Sequence, residues 1–331
     1  MESFTVVGAG GIGCAVGYAL VSAGARVLFV DTNEQKIRWG LEHGVAVDGH
    51  PSVAADFQLF AGWSPDCDAI ILLCTKCYSN SEVLARLAPS ATVIPIQNGF
   101  DKALDALGAH PEGIASFISE CLPNQTRTTI TRAGKLHLGQ YRPAAHMGAA
   151  AADLASGRLT ALFRRCRLFS VELVADILPY KLTKLMYNAA IGPLAAVAGL
   201  DNGQLLAVPR VRRLFFDLLA ENYAILQAAH LPLGRIGPFH PRTVNRILRR
   251  RWLANTLSWA FYPSLRRTYC SMNADLPTGR TEIDFYNGHL VALAKDYLCP
   301  LNRGILELVK RMEKEGTPPH PDKLETLLSG R

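Results

Sequence analysis

Apolar positions in the first half of the chain fall in short continuous runs separated by turn residues. "FTVVG" (4–8), "ARVLFVD" (25–31), "DAIILLCTK" (68–76) and "ATVIPIQNG" (91–99) are rich in β-branched residues and lack the alternation of a half-exposed strand. Such runs predict strands buried on both faces, the pattern of a parallel sheet. Between them, "IGCAVGYALVSAG" (12–24) and "SEVLARLA" (81–88) carry helical spacing. Farther on, "RTTITRAGKLHLGQY" (127–141) predicts a hairpin turning at Ala133-Gly134, and "SVELVADIL" (170–178) a last strand.

After about residue 179 the period changes. The segments 180–200, 212–231, 281–298 and 301–316 all repeat at helical spacing, with Gly or Pro between them. The expected organisation is therefore α/β: a Rossmann-type doubly wound parallel sheet over 1–178, then an all-helical domain over 179–331. The tail "TPPHPDKLETLLSGR" (317–331) is expected to be loosely held.

The length of 331 residues accommodates two cores. Hydrophobic residues at 49% and charged residues at 19% exclude a disordered chain. No apolar run is long enough to span a bilayer, and "MESFTVVGAG" lacks the basic region of a signal peptide. Eight cysteines without such a signal point to reduced thiols in the cytoplasm. Cys74 and Cys77 form a C-x-x-C with no second pair, so buried thiols are expected there, and no metal. The net charge of +7 gathers in "RRCR" (164–167), "RVRR" (210–213), "RILRRR" (246–251) and "LRR" (265–267). Without a nucleic-acid-binding pattern beside them, these read as solvated helix faces that attract an anionic substrate, with no nucleic-acid or membrane partner.

"GAGGIG" supplies Gly8, Gly10, Gly11, Ile12 and Gly13 directly after a strand and at the opening of a helix, the context of a dinucleotide-binding turn. Gly8 permits the tight turn, Gly10 admits a pyrophosphate, and Gly13 allows close helix–strand packing. Asp31 closes the second strand, where a carboxylate accepts ribose hydroxyls and repels a 2′-phosphate. No arginine adjoins it, and Lys36 and Arg38 lie farther on, so NAD is expected over NADP. A helix-capping role for Asp31 would leave that preference open. Lys76 and Asn98 sit just past two strand ends, where such sheets bind ligands. There Lys76 would hold a phosphate or carboxylate and Asn98 would orient the nicotinamide or the substrate; a surface lysine and a turn asparagine are the plain alternatives.

Reduction of a carbonyl needs a proton for the emerging alkoxide, and lysine suits that task. In "KLMYNAAIGPL" (184–194), Lys184 and Asn188 are neighbours one helical turn apart. Lys181 lies on nearly the same stripe and is a rival on spacing alone.

Five segments in order, "GAGGIG", "CTKCY" (74–78), "QNG" (97–99), "KLMYNAAIGPL" and "CSMNADLPTGRTEIDFYNG" (270–288), resemble the ketopantoate reductase family, the 2-dehydropantoate 2-reductases. The resemblance implies reduction of an α-keto acid by a nicotinamide cofactor. It assigns Lys184 as the catalytic lysine over Lys181, Asn188 and Ser271 to substrate, and Glu282 to the substrate hydroxyl and cofactor ribose. Lys76 and Asn98 match the cofactor-side pair. Four departures stand out. Gly192 replaces a second asparagine, Leu182 replaces a tryptophan, the stretch between Ser271 and Glu282 is one residue short, and Asp31 sits oddly with the family's usual NADPH. The first two motivate an alternative, a D-2-hydroxyacid dehydrogenase for another branched or aromatic keto acid. A non-catalytic NAD(H)-binding sensor is the alternative from another class. A homodimer through the helical half is expected by analogy of fold.

Overall fold

The doubly buried runs become a parallel sheet. The computed structural model describes residues 3–66, 68–141 and 149–328, and divides into two compact units, Met1–Leu178 and Pro179–Arg331. The first unit runs β1 (Ser3–Val7), α1 (Gly11–Ser22), β2 (Arg26–Asp31), α2 (Glu34–His43), β3 (Ala46–Val47), β4 (Asp56–Leu59), β5 (Ile70–Leu73), α3 (Asn80–Leu84), β6 (Val93–Pro95), β7 (His110–Ala115), β8 (Ile118–Cys121), β9 (Arg127–Arg132), β10 (Lys135–Tyr141), α4 (Ala149–Cys166) and β11 (Ser170–Asp176).

Five strands pair in parallel in the order β4-β2-β1-β5-β6. Phe4, Val6, Phe29 and Leu72 pack on one face with Ala15, Ala19 and Leu20 of α1. Val7, Val30, Ile71 and Leu73 pack on the other with Phe60, Trp63 and Leu104. Burial on both faces is why these strands read as unbroken apolar runs. Pro95 lies on the edge strand β6, where a missing N–H removes no rung.

The expected hairpin over 127–141 is not formed. β9 pairs with β8 and β10 with β7, both antiparallel, so the four strands make one long bent arm. Its tip falls at 122–126, where Leu122 N–H donates to Arg127 O at 2.9 Å and Asn124 takes φ 57°. Ala133-Gly134 is instead the bend at which the chain passes between sheets. A Cβ on Gly134 would overlap the backbone of Phe117 and stand 2.6 Å from the carbonyl carbon of Ser116. The alternating pattern of 127–141 was strand-like, but its antiparallel partners lie upstream. Also in parallel, β9 pairs with β3 and β10 with β11.

The second unit is helical: α5 (Leu178–Ala198), α6 (Asn202–Ala207), α7 (Pro209–Ala228), α8 (Pro241–Leu248), α9 (Arg251–Leu265), α10 (Ser271–Asp275), α11 (His289–Ala294), α12 (Pro300–Glu315) and α13 (Glu325–Leu328). α5 is its core, with Leu185, Ala189, Ala190, Leu194, Ala195 and Ala196 fully buried. The segment 281–298 is helical without a break over 283–294. Asp284–Gly288 winds as a π-helix before α11, which stops at Lys295 with φ 50°. The tail is also held more firmly than expected through residue 328. His320 N–H donates to Val197 O at 2.8 Å, and Leu324 is buried; residues 329–331 lie outside the described range. Among the described residues, no helix is long and apolar enough to cross a membrane.

Gly134→Ala is expected to destabilise the first unit by about 1–3 kcal/mol, because the new methyl group meets backbone rather than a yielding side chain. Thermal unfolding of the variant checks this; an unchanged midpoint would mean the bend tolerates a side chain.

Candidate active site

The β1–α1 turn is built from constraints that only glycine meets. Gly8 takes φ +98°, and a Cβ there would lie 2.8 Å from Cys74 C and Thr75 N at the end of β5. A Cβ on Gly13 would overlap the Gly8 carbonyl oxygen, which is the close helix–strand packing expected of it. Gly11 is constrained by something the sequence did not suggest: its Cβ would strike the Ser119 carbonyl of β8. Gly10 differs, since among the described residues nothing lies within 4 Å of a Cβ there. It occupies the N-cap of α1, and no side chain caps that end. Gly10, Gly11 and the half-buried Ile12 thus open a helix N-terminus whose N–H groups and dipole suit a pyrophosphate.

Asp31 ties itself to this turn. Its Oδ2 accepts from Ala9 N–H at 2.8 Å and its Oδ1 from Asn33 N–H at 2.9 Å. It does not cap α2; Asn33 does, accepting from Lys36 N–H at 2.9 Å. Lys36 also returns toward the strand end, with Nζ 3.9 Å from Asp31 Oδ2. The carboxylate expected to discriminate against a 2′-phosphate therefore has a cation beside it. Beneath the turn, the Sγ atoms of Cys14 and Cys121 lie 3.2 and 3.6 Å from Ala9 O. The Cys14 thiol is pushed up by its hydrogen bond with Cys121 and by burial.

Across the sheet from β2, the ends of β5 and β6 carry Lys76 and Asn98, both half-buried. Two buried amides join their loops. Gln97 Nε2 donates to Thr75 O at 2.8 Å and to Asn80 Oδ1 at 2.7 Å, while Asn80 Nδ2 donates to Gln97 Oε1 and Asp101 Oδ2, each at 3.0 Å. The backbone ladder ends with Ile96 N–H to Leu73 O at 2.9 Å, so Gln97 adds a side-chain rung beyond it. Asn98 Oδ1 is buried and accepts no hydrogen bond from any described residue. A carboxamide or hydroxyl donor of a ligand would satisfy it. The neighbouring Cys74 thiol is pushed up to about 12 by burial, and Cys77 is buried. Seven cysteines are free thiols, and Cys67 lies outside the described residues.

In the second unit, Lys184, Tyr187 and Asn188 are half-buried on one face of a helix whose other positions there are buried. Lys181 is only 2% exposed, so accessibility separates the two lysines that spacing could not. Burial pushes the Tyr187 phenol up to about 12, which keeps it protonated beside Asn188. One turn on, Gly192 is buried, yet within 4 Å a Cβ there would meet only Met272 Cε, at 4.0 Å among the described residues. Its carbonyl accepts from Cys270 Sγ at 3.2 Å, which brings the exposed Ser271 at the start of α10 beside α5. Leu182 is buried. Glu282 is 5% exposed and accepts from Tyr286 Oη at 3.2 Å.

The geometry thus gathers Gly8–Gly13 with Asp31, Lys76 with Asn98, Lys184 with Asn188, and Ser271 with Gly192. Sequence reasoning missed Tyr286, although its i+4 spacing from Glu282 was visible, and missed Gln97 and Asn80, which gave no periodic signal. Among the described residues no cluster of His, Cys, Asp or Glu could hold a metal ion.

Two family models match, "Ketopantoate reductase PanE/ApbA" over residues 4–142 and "Ketopantoate reductase PanE/ApbA C terminal" over 176–313. The 2-dehydropantoate 2-reductase of Halobacterium salinarum is 25% identical over 334 residues, covering 94% of this chain and 99% of the relative. The ternary structure of D-mandelate dehydrogenase with NADH and anilino(oxo)acetate shares the fold at TM-score 0.74 and 18% identity, covering 95% of this chain and 99% of that one. A dimeric ketopantoate reductase from Staphylococcus aureus superposes at TM-score 0.67 and 17% identity, covering 95% of this chain and 100% of that one. Matched through both halves in order, the chain belongs to the ketopantoate reductase family of NAD(P)-dependent oxidoreductases.

Proposed function

We propose that this chain reduces an α-keto acid to a 2-hydroxy acid, with 2-dehydropantoate to (R)-pantoate, a step of pantothenate biosynthesis, as the first assignment. The observation that carries the reading is the half-buried face of α5, where Lys184, Tyr187 and Asn188 stand among buried positions of the stretch 181–190. Bound NAD(P)H would supply the hydride. Gly8, Gly10, Gly11, Ile12 and Gly13 would seat its pyrophosphate, Asp31 its adenosine ribose, and Lys76 and Asn98 its nicotinamide side. Lys184 polarises the keto oxygen and gives it a proton. Asn188 and Ser271 hold the substrate, Ser271 at its carboxylate. Glu282, oriented by Tyr286, positions the new hydroxyl and the cofactor ribose. The first unit binds dinucleotide; the second binds substrate and pairs with another copy. Trp252 and Trp259, 70% and 67% exposed two turns apart on α9, support a homodimer. The protein is read as cytoplasmic.

A second reading has its own observation. Gly192 stands where the family pattern has an asparagine, and a Cβ there would meet only Met272 Cε, at 4.0 Å among the described residues; the missing side chain suits a bulkier or aromatic keto acid. A relative of the same fold is a D-mandelate dehydrogenase solved with anilino(oxo)acetate. On this reading the enzyme is a D-2-hydroxyacid dehydrogenase with the same proton donor.

Lys184→Ala is expected to lower kcat by roughly 10²–10⁴-fold with NADH affinity retained, as checked by steady-state rates and fluorescence titration. A wild-type protein that binds NADH but oxidises it with no keto acid returns the chain to a sensor role. Gly192→Asn should fill the space and raise kcat/KM for ketopantoate against an aromatic keto acid by up to about tenfold, the ratio carried by about 1.4 kcal/mol. A panel of keto acids on both proteins decides it, and a ratio moving the other way refutes it. Asp31 makes NADH the better reductant, and Asp31→Asn should narrow the NADH/NADPH ratio of kcat/KM. Equal ratios in both proteins would show that Lys36 cancels the carboxylate.

A further inference from the structure

We infer that Asn287 is a positioning residue: its amide supplies the hydrogen bond that Pro193 withholds from the Ala189 carbonyl, locking the helix of Lys184 and Asn188 to the segment of Glu282. The inference rests on the roles proposed above for those three residues.

In an α-helix the N–H of residue 193 would bond the carbonyl of residue 189. Pro193 has no N–H, and Ala189 is fully buried, so water cannot take its place. A buried carbonyl left open keeps the full cost of its desolvation. Asn287 Nδ2 donates to Ala189 O at 2.8 Å, from the π-helical stretch Asp284–Gly288. The break in one element is thus closed by the other.

The donor is itself held. The second N–H of Asn287 goes to Asn302 Oδ1 at 2.9 Å. Asn302 Nδ2 donates to Glu221 Oε1 and Asn222 Oδ1, both at 2.8 Å. Asn222 Nδ2 then donates to Met186 O at 2.9 Å. All three asparagines are fully buried. The path leaves α5 at Ala189 and returns to it at Met186. Two anchored carbonyls fix both the slide of the helix and its rotation about its axis. Lys184 lies two residues before the first anchor and Asn188 between the two, and Glu282 precedes Asn287 by five residues. Asn287 and Asn302 each spend both amide N–H groups in this network, while Asn287 Oδ1 is buried and accepts from no described residue.

The test exploits the proline. Full-length Asn287→Ala is expected to lower kcat for keto-acid reduction tenfold or more, with KM for the reduced cofactor within twofold, and to lower the thermal midpoint. Adding Pro193→Ala restores a backbone N–H to Ala189 O, and most of the lost kcat and midpoint should return. Unchanged kcat in Asn287→Ala, or a double variant no faster than the single, overturns the inference. If the single variant does not fold, the double decides alone: folded and active supports the inference, unfolded overturns it. A wild-type protein without keto-acid-dependent turnover would sink the functional reading instead, while the thermal midpoints would still show whether Asn287 closes the helix.

Discussion

An oxygen deprived of its helical partner, the carbonyl of Ala189, organises the helical unit. Its need for a donor draws Asn287 into the core, and Asn287 draws Asn302 and Asn222 after it. Helices α5, α7 and α12 and the π-helical segment therefore meet around amides where an all-apolar centre would otherwise stand. Apolar contacts fill the surrounding volume but specify register poorly. Directional bonds between buried amides specify it well, because each shift leaves a donor or acceptor unmatched. The first unit uses the same device on a smaller scale. Where the β5–β6 ladder stops, Gln97 and Asn80 continue it with side chains and join the loops of Lys76 and Asn98.

The cofactor end rests on a second constraint, the exclusion of side chains from the β1–α1 turn. Gly8 and Gly13 are required by backbone contacts within the turn, and Gly11 by the crossing of β8. Of these four glycines, only Gly10 would meet no described residue within 4 Å of a Cβ, so there a ligand's approach, rather than the fold, accounts for the glycine. Asp31 joins both functions: one oxygen braces the turn through Ala9, while the carboxylate presents charge at the end of β2. Lys36 Nζ stands 3.9 Å from that carboxylate, so the end of β2 carries an acid and a base side by side.

Much of this was visible in the chain. Burial on both faces prints an unmistakable apolar run, which made the parallel sheet readable, and the glycine spacing and the Lys184–Asn188 step followed from local geometry. The bent arm was not readable. Its strands alternate as a hairpin would, and nothing local says that β9 and β10 look upstream for antiparallel partners. α4 and the short strands β3 and β4 lacked a pattern strong enough to name. The anchored tail was mistaken because its polar residues hide a buried Leu324. Asn287 was hidden for a different reason. Pro193 announces an orphan carbonyl, but sequence gives no address for the residue that answers it.

The distance along the chain between that carbonyl and its donor also affects biosynthesis. Ala189 and Asn287 are separated by 98 residues. At roughly 5–20 residues per second, translation leaves α5 outside the ribosome for several seconds before Asn287 exists. Through that interval the proline break stays hydrated and the helix cannot settle among its eventual neighbours. Late closure of this kind ties native assembly of the second half to completion of α12, which supplies Asn302.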